Sequence, residues 1–189
     1  MKTLALAALL AGTLSTGALA APESFTVDAG HTYPSFEIGH FGYSLQRGRF
    51  NKTSGKITVD AAARIGTADI TIDAATISTG NEKLEAHLKG EDFFNVARHP
   101  AITFKSKSFP YEADSVKSVP GELTILGITR PVTLAASQFR CADHPFAKKK
   151  ACGGEFVATI KRTEFGMKYA VPNVADEVTL RINIEAIKD

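Results

Sequence analysis

The sequence predicts an all-β fold, a closed antiparallel β-barrel of about eight strands with one short helix at about residues 81–89. Apolar and polar residues alternate with a period of two through most of the chain after Phe25, and turn residues separate these runs at short intervals. Helical periodicity occurs only around Asn81 to Leu88. Short, evenly spaced strands indicate a sandwich or a barrel, and closing the sheet buries its apolar face without leaving exposed edges.

The individual strands are predicted from sets of alternate residues that would share one face of a sheet. The last strand is the clearest, because apolar residues at every second position from Val178 to Ala186 face away from polar ones. The earlier sets are Phe36, Ile38, His40; Ile70, Ile72; Ile102, Phe104, Ser106; Leu123, Ile125; Val132, Leu134, Ala136; and Phe156, Ala158, Ile160.

The helix is predicted from its capping residues and its apolar spacing. Asn81 is a good N-cap residue, Leu84 and Leu88 lie one turn apart on the same face, and Gly90 is well placed to end the helix. The two phenylalanines that follow, Phe93 and Phe94, are candidates for the mouth of a pocket, although a core plug explains them equally well.

The first 20 residues resemble a cleavable secretory signal peptide. Lys2 is followed by an apolar run from Leu4 to Leu10 and by the small-residue end Ala18-Leu19-Ala20. The run is shorter than the roughly 20 residues that a bilayer span requires. We therefore expect export to the periplasm and a single domain over residues 21–189.

Composition excludes nucleic acid as an expected partner. The chain has 22 basic and 20 acidic residues and a formal net charge of +2, which falls to +1 when Lys2 is removed. Such a balance provides no basic surface for phosphates. The only basic run, Lys148-Lys149-Lys150, is typical of a solvated loop.

The two cysteines, Cys141 and Cys152, predict a structural disulfide. They flank a ten-residue loop between two predicted strands, and disulfides persist in exported proteins. A redox pair would usually show the spacing C-x-x-C, which is absent.

Residues that could perform chemistry form no recognisable catalytic or metal motif. G-x-S-x-G, H-E-x-x-H, G-x-G-x-x-G and P-loop patterns are absent, and the five histidines show no ligand spacing. His40 shares a face with Phe36 and Ile38. It is either a core histidine or a residue that contacts the polar end of a ligand. Arg162 either pairs with a carboxylate, usually at the surface, or meets an anionic head group. We expect no metal and no required cofactor.

Several motifs in order make the chain from about Phe25 to Ala186 resemble the YceI-like family of bacterial periplasmic lipid-binding proteins. They are Val27-Asp28-Ala29-Gly30-His31, Phe36-Glu37-Ile38-Gly39-His40, Gly48-Arg49-Phe50, the block from Asp73 to Phe104, the block from Gly121 to Val132, and Ile160-Lys161-Arg162-Thr163-Glu164-Phe165-Gly166. Leu84 and Glu85 depart from the arginine and aspartate that are common in the family, which favours an uncharged or differently oriented ligand.

The resemblance implies a lipocalin-like barrel with an apolar channel for a polyisoprenoid chain, such as an isoprenoid quinone or a polyprenyl phosphate. We expect a non-catalytic carrier that co-purifies with its lipid, exists as a monomer or homodimer, and meets a membrane or membrane-protein delivery partner transiently. The expected ligand-binding residues are Phe36, Ile38, His40, Phe50, Phe93, Phe94, Ile102, Phe104, Leu123, Ile125, Ile160, Arg162, Phe165, Met167, Leu180 and Ile182.

Two alternatives remain open at this point. One is an enzyme acting on a small amphiphile or a lipid, with His40, Arg162 or a carboxylate as the acid or base. The other is a haem or metal protein that serves a membrane electron-transfer partner.

Overall fold

The fold comes from a computed structural model of the chain, and the structure describes residues 21–112 and 115–189. The signal peptide predicted over residues 1–20 lies outside the described residues. The helices of the described part include none that is long and apolar enough to cross a bilayer.

Strands make up most of the described chain, as the alternation of the sequence predicts. The elements are β1 Glu23–Val27, β2 Tyr33–His40, β3 Ser44–Phe50, β4 Thr53–Asp60, β5 Ile65–Asp73, β6 Ile77–Ser78, α1 Glu82–Lys89, β7 Ala101–Pro110, β8 Ser118–Ile125, β9 Ile128–Asp143, β10 Lys150–Lys161 and β11 Val174–Lys188, with 3₁₀ turns at Ala74–Thr76 and Arg162–Phe165.

The strands form one antiparallel sheet that closes on itself. Its order is β1-β4-β5-β7-β8-β9-β10-β11-β2-β3-β6, and an additional pairing between β1 and β11 closes eight of these strands into a barrel. The closed antiparallel barrel with one helix, lipocalin-like in form, confirms the predicted fold class.

The long strand β11 explains how extra strands join the barrel. Its first part pairs with β2, from Val174 opposite His40 to Asn183 opposite Tyr33, and its last residues pair with β1. Strands β3 and β6 continue the sheet beyond β2. The barrel is therefore extended at the end where β11 begins.

The helix forms where its capping residues predict it. The Asn81 side chain accepts hydrogen bonds from the N–H groups of Lys83 and Leu84, and Gly90 is the C-cap residue. These bonds satisfy backbone donors that an N-terminal helical turn leaves without partners. Residues 79–80 are fixed to the helix by Glu85, whose carboxylate accepts from the N–H groups of Thr79 and Gly80. The Thr79 bond above all lowers the pKa of the Glu85 carboxyl.

The predicted disulfide joins Cys141 of β9 to Cys152 of β10. The two residues lie directly opposite each other in the antiparallel ladder, with two more residue pairs between them and the connecting turn. The disulfide therefore fixes the register of the two strands near that end of the barrel.

Candidate functional site

The barrel encloses a cavity of about 630 Å³. Inward-facing side chains of the barrel strands and of β2 and β3 form its wall, and α1 adds Leu84 and Leu88. Several of these side chains, including Phe36, Ile38 and Leu180, are only half-buried although they point inward. Their inner ends are uncovered because the lumen is not filled by side chains.

Most of the residues predicted to bind a ligand do lie on this wall, although lining a cavity does not by itself establish binding. Those that line the cavity are Phe36, Ile38, His40, Phe50, Phe93, Phe94, Ile102, Phe104, Leu123, Ile125, Ile160, Arg162, Met167, Leu180 and Ile182. Phe165 does not line it. This residue belongs to the 3₁₀ turn after β10, where the alternation of the strand no longer applies, and its side chain is buried outside the lumen.

Three aromatic rings of the wall lie against glycines of the neighbouring strand, so they occupy the space where a side chain would otherwise stand. The pairs are Phe36 with Gly48, Phe104 with Gly121, and Phe109 with Gly66. A Cβ atom at any of these glycines would collide with the ring. The glycines therefore let large rings lie along the wall instead of crossing the lumen.

The cavity opens at one end of the barrel. The exposed residues among those that line it belong to the turn and strand after β2, to α1 with its N-cap, or to the loop before β11: Phe41, Gln46, Arg47, Asn81, His87 and Tyr169. We call this end the mouth. Towards the opposite end, where β9 turns into β10, none of the lining residues is exposed: Phe109 and Val116 are buried, and Phe139 and Cys152 are half-buried.

Aromatic contacts connect the helix to the rim of the mouth. The His87 ring packs edge-on against Phe93, at 5.0 Å between centroids, and against Tyr169, at 5.2 Å. Its Nε2 atom lies 2.9 Å from a carboxylate oxygen of Asp92. His40 packs edge-on against its neighbour Phe41 at the end of β2, with centroids 4.5 Å apart.

Arg162 is buried, so surface pairing, the commoner form of one of its two predicted alternatives, does not occur. Its side chain is 3% exposed. The guanidinium donates to the carbonyl oxygens of Ala175 at 2.8 Å, Val174 at 3.0 Å and Met167 at 3.2 Å. Burial lowers the pKa of this group, which nevertheless stays protonated in proteins. Arg162 therefore ties both ends of the loop at the rim to the end of β10.

The cavity wall is apolar and carries few charges. Its ionisable residues are His40, His87, Arg47 and Arg162, and no carboxylate lines it within the described ranges. Arg47 forms an ion pair with Glu37 at 2.8 Å, and Arg162 is held by carbonyl oxygens. The interior is therefore suited to an apolar chain, with the hydroxyl groups of Thr32 and Thr53 among its few polar atoms away from these cations.

A separate group of polar residues lies outside the cavity. Asp28, His31 and Glu185 place one ligand-type atom each within 4.8 Å of one another near the surface. The His31 Nδ1 atom lies 2.8 Å from Asp28 Oδ2, and this bond raises the pKa of His31 and lowers that of Asp28. None of the three lines the lumen.

Sequence reasoning missed some residues of the wall. Phe139 enters the lumen because β9 contains a bulge: Ala136 pairs with Phe156 and Gln138 pairs with Glu155, which leaves Ser137 as an extra residue. Alternation counted from Leu134 would place Phe139 outside. Tyr169 lies in a loop that has no periodic signal. Ile57 and Val59 could have been found by their alternation.

Comparisons with known proteins agree with this architecture. The YceI-like domain matches residues 25–186. A UPF0312 protein of Pseudomonas aeruginosa (strain LESB58) is 35% identical over 191 residues, covering 99% of this chain and 98% of that protein. The crystal structure of Burkholderia cenocepacia BcnA is similar with a TM-score of 0.67 at 28% identity, covering 84% of this chain and 98% of that one.

A third comparison shows the same fold at low sequence identity. A domain of Saccharophagus degradans, described as polyisoprenoid-binding and implicated in plant cell wall breakdown, has a TM-score of 0.64 at 14% identity. It covers 88% of this chain and 99% of its own. The match of the domain across the barrel and the relatives that share nearly its full length show that the chain belongs to the YceI-like family.

Proposed function

We propose that the protein binds an isoprenoid-like amphiphilic lipid in the barrel cavity and carries or stores it without catalysis. The observation that supports this most is the apolar lumen of about 630 Å³ whose exposed lining residues all lie at the mouth. Cavities of roughly 300–1,000 Å³ are typical of small-molecule sites. The shared fold with the Saccharophagus degradans domain described as polyisoprenoid-binding agrees with an isoprenoid chain as the ligand.

Energetics favour an occupied cavity. At about 24 cal/mol per Å³, leaving this volume empty and dry would cost on the order of 15 kcal/mol, an upper figure because the mouth admits water. That equals the upper end of the roughly 5–15 kcal/mol by which native domains are stable. A buried isoprene unit of five carbons contributes about 3 to 4 kcal/mol gross. The protein should therefore be isolated with a lipid inside.

Both arginines of the cavity wall already have partners, which favours an uncharged head group, such as that of an isoprenoid quinone, over a polyprenyl phosphate. Leu84 faces the cavity where a cation is common in the family, and Arg162 donates to three carbonyl oxygens. The polar groups that line the mouth without a full charge include Gln46 and Asn81. Amide and imidazole groups can bond to a neutral carbonyl or hydroxyl.

We further propose that carriage takes place in the periplasm. The N-terminal pattern of residues 1–20 favours export, and the disulfide suits an oxidising compartment. A lipid inside the barrel is shielded from water, so it can cross an aqueous compartment that it could not cross alone.

Native mass spectrometry of delipidated protein tests this function. The protein would be mixed with an isoprenoid quinone or with a polyprenyl phosphate of equal chain length in mild detergent. We expect one bound quinone per chain and weaker binding of the phosphate. Ile38→Asp should abolish binding, because it places an unpaired charge on the wall, whereas Thr71→Asp on the exposed face of β5 should not. Equal binding by both variants in folded form would contradict the proposal.

A further inference from the structure

Large apolar side chains are exposed around the mouth. In the β2–β3 hairpin Phe41 is 50%, Tyr43 91% and Leu45 53% exposed. We call these three residues the mouth tip. Tyr169, in the loop before β11 that also lines the opening, is 47% exposed. Of the six large hydrophobic residues that are exposed in the described part of the chain, four therefore lie at this end.

The mouth tip has a fixed conformation. The N–H group of Phe41 donates to the Asn173 carbonyl at 2.7 Å, and the N–H group of Tyr43 donates to the His40 carbonyl at 3.0 Å. Phe41 has a φ of 52° and Gly42 a φ of 72°, so the chain reverses tightly between the two strands. The exposed side chains are consequently presented by a hairpin that is hydrogen-bonded to the loop before the neighbouring strand β11.

We propose that the mouth tip inserts into the interfacial region of a phospholipid bilayer and so places the cavity mouth against the membrane. This inference rests on the proposed function, because it names the surface from which the ligand enters. Phe41 and Tyr169 are both exposed on the rim and part of the cavity wall. A lipid that leaves the bilayer between them passes from one apolar environment to another without crossing water.

The residue types at the rim fit a membrane interface. Tyrosine and phenylalanine are typical of the region between lipid head groups and acyl chains. Two of the three segments at the mouth, residues 41–49 and 166–175, contain Arg47, Arg49 and Lys168 and no carboxylate, whereas the third, α1 with its N-cap, adds two glutamates and two lysines. Arg47 is paired with Glu37, so the net attraction is modest. Lys168 is exposed beside Tyr169 and favours anionic head groups.

A second copy of the chain is a poorer occupant of this surface. A standard protein interface buries about 800 Å² on each partner and needs roughly 20–30 residues. A hairpin tip of three side chains provides only a small part of that area. Membrane insertion needs no such area, because the bilayer surrounds each inserted side chain.

Vesicle flotation tests the inference with a matched control at the other end of the barrel. Vesicles of phosphatidylethanolamine and phosphatidylglycerol would be incubated with the full chain, with Tyr43→Ser/Leu45→Ser, and with Phe146→Ser. Tyr43 and Leu45 do not line the cavity, and Phe146 is 89% exposed in the turn between β9 and β10. We expect the double variant to bind vesicles at least about tenfold more weakly, and Phe146→Ser to bind like the unchanged protein.

Three flotation results would overturn the inference. They are absence of vesicle binding by the unchanged protein, equal binding by the double variant, or a larger loss with Phe146→Ser. Size-exclusion chromatography provides a further check. The inference would also be overturned if the unchanged protein were a dimer that does not bind vesicles and the double variant were a monomer. Lipid content is measured by mass spectrometry in the same samples: an empty cavity would reject the proposed function, whereas flotation decides the membrane inference separately.

Discussion

Phe36 lies opposite Gly48 on the β2–β3 ladder, and a Cβ atom on Gly48 would stand 2.5 Å from Cζ of the Phe36 ring. Because paired residues of a ladder point to the same face, that Cβ atom would point into the lumen. Gly48 is thus the reason that the Phe36 ring can lie along the wall.

We expect Gly48→Ala to push the Phe36 ring into the cavity. The variant should lose about 1–3 kcal/mol of stability, the usual cost of overpacking, and should hold less lipid. Chemical denaturation and extraction of bound lipid measure the two effects. Adding Phe36→Leu should restore part of the lost stability, because the smaller side chain removes the collision. Additive effects of the two substitutions would show that the ring and the glycine are not coupled.

Two buried threonines make a matched pair for a second prediction. The Thr53 hydroxyl is buried without a hydrogen-bond partner among the described residues, whereas the Thr32 hydroxyl donates to the Glu185 carbonyl at 3.2 Å and accepts from the Glu185 N–H at 3.1 Å. Thr53→Val should therefore leave the free energy of unfolding unchanged or raise it by about 1–3 kcal/mol, and Thr32→Val should lower it by a similar amount. Urea denaturation of both variants measures the difference. Equal destabilisation would contradict the assignment of Thr53 as unpaired.

The disulfide should stabilise the fold without being needed for lipid binding. Cys141 and Cys152 are separated by 11 positions, and a loop of that size predicts a loss of about 3 kcal/mol when the bond is removed. The double variant Cys141→Ala/Cys152→Ala should show this loss in urea and still bind lipid, because Cys152 is the only one of the two that lines the cavity and alanine keeps that part of the wall apolar. Addition of a reductant to the unchanged protein provides the control. An unfolding midpoint that does not respond to the reductant would contradict this account.

Acid should weaken the closure of the barrel through Glu23. Its carboxylate accepts from Lys188 at 2.6 Å and from Lys150 at 3.2 Å, and the Lys188 bond above all lowers its pKa. Because the folded pKa lies below the unfolded one, the unfolded chain binds more protons in this window. The stabilisation is complete above about pH 4.3 and is lost as the pH falls through the folded pKa.

Glu23→Gln is the variant that tests this pH dependence. Its deficit in stability should be largest at neutral pH and should shrink on acidification, and salt should reduce it because the pair is partly exposed. Thermal unfolding of the unchanged protein and of Glu23→Gln from neutral to acidic pH measures this deficit. A deficit that does not change with pH would show that Glu23 acts by packing alone.

The parts of the fold that could be predicted are those with a local signal. Alternation along β11 predicted its inward face, and Asn81 and Gly90 predicted the limits of the helix. The remaining features depend on strand pairing. The contact of Phe104 with Gly121 exists only in the observed register, and the bulge at Ser137 changes the phase of β9 without any sequence marker.

The burial of Arg162 shows why the surroundings of a charged residue are harder to predict than the apolar residues of the cavity wall. A cation at the end of a strand is usually solvated, and the carbonyl groups that hold this one belong to the loop after β10 and to the first two residues of β11, which are distant from Arg162 in the sequence. The position of Phe165 is missed because a 3₁₀ turn follows neither the period of a strand nor that of a helix.

The central claim, an open lumen that holds a lipid, is tested most directly by extracting protein purified under native conditions with organic solvent. Mass spectrometry of the extract should find an isoprenoid-like amphiphile at close to one molecule per chain. An extract without lipid, from protein whose lumen proves to be filled with ordered water, would contradict the claim.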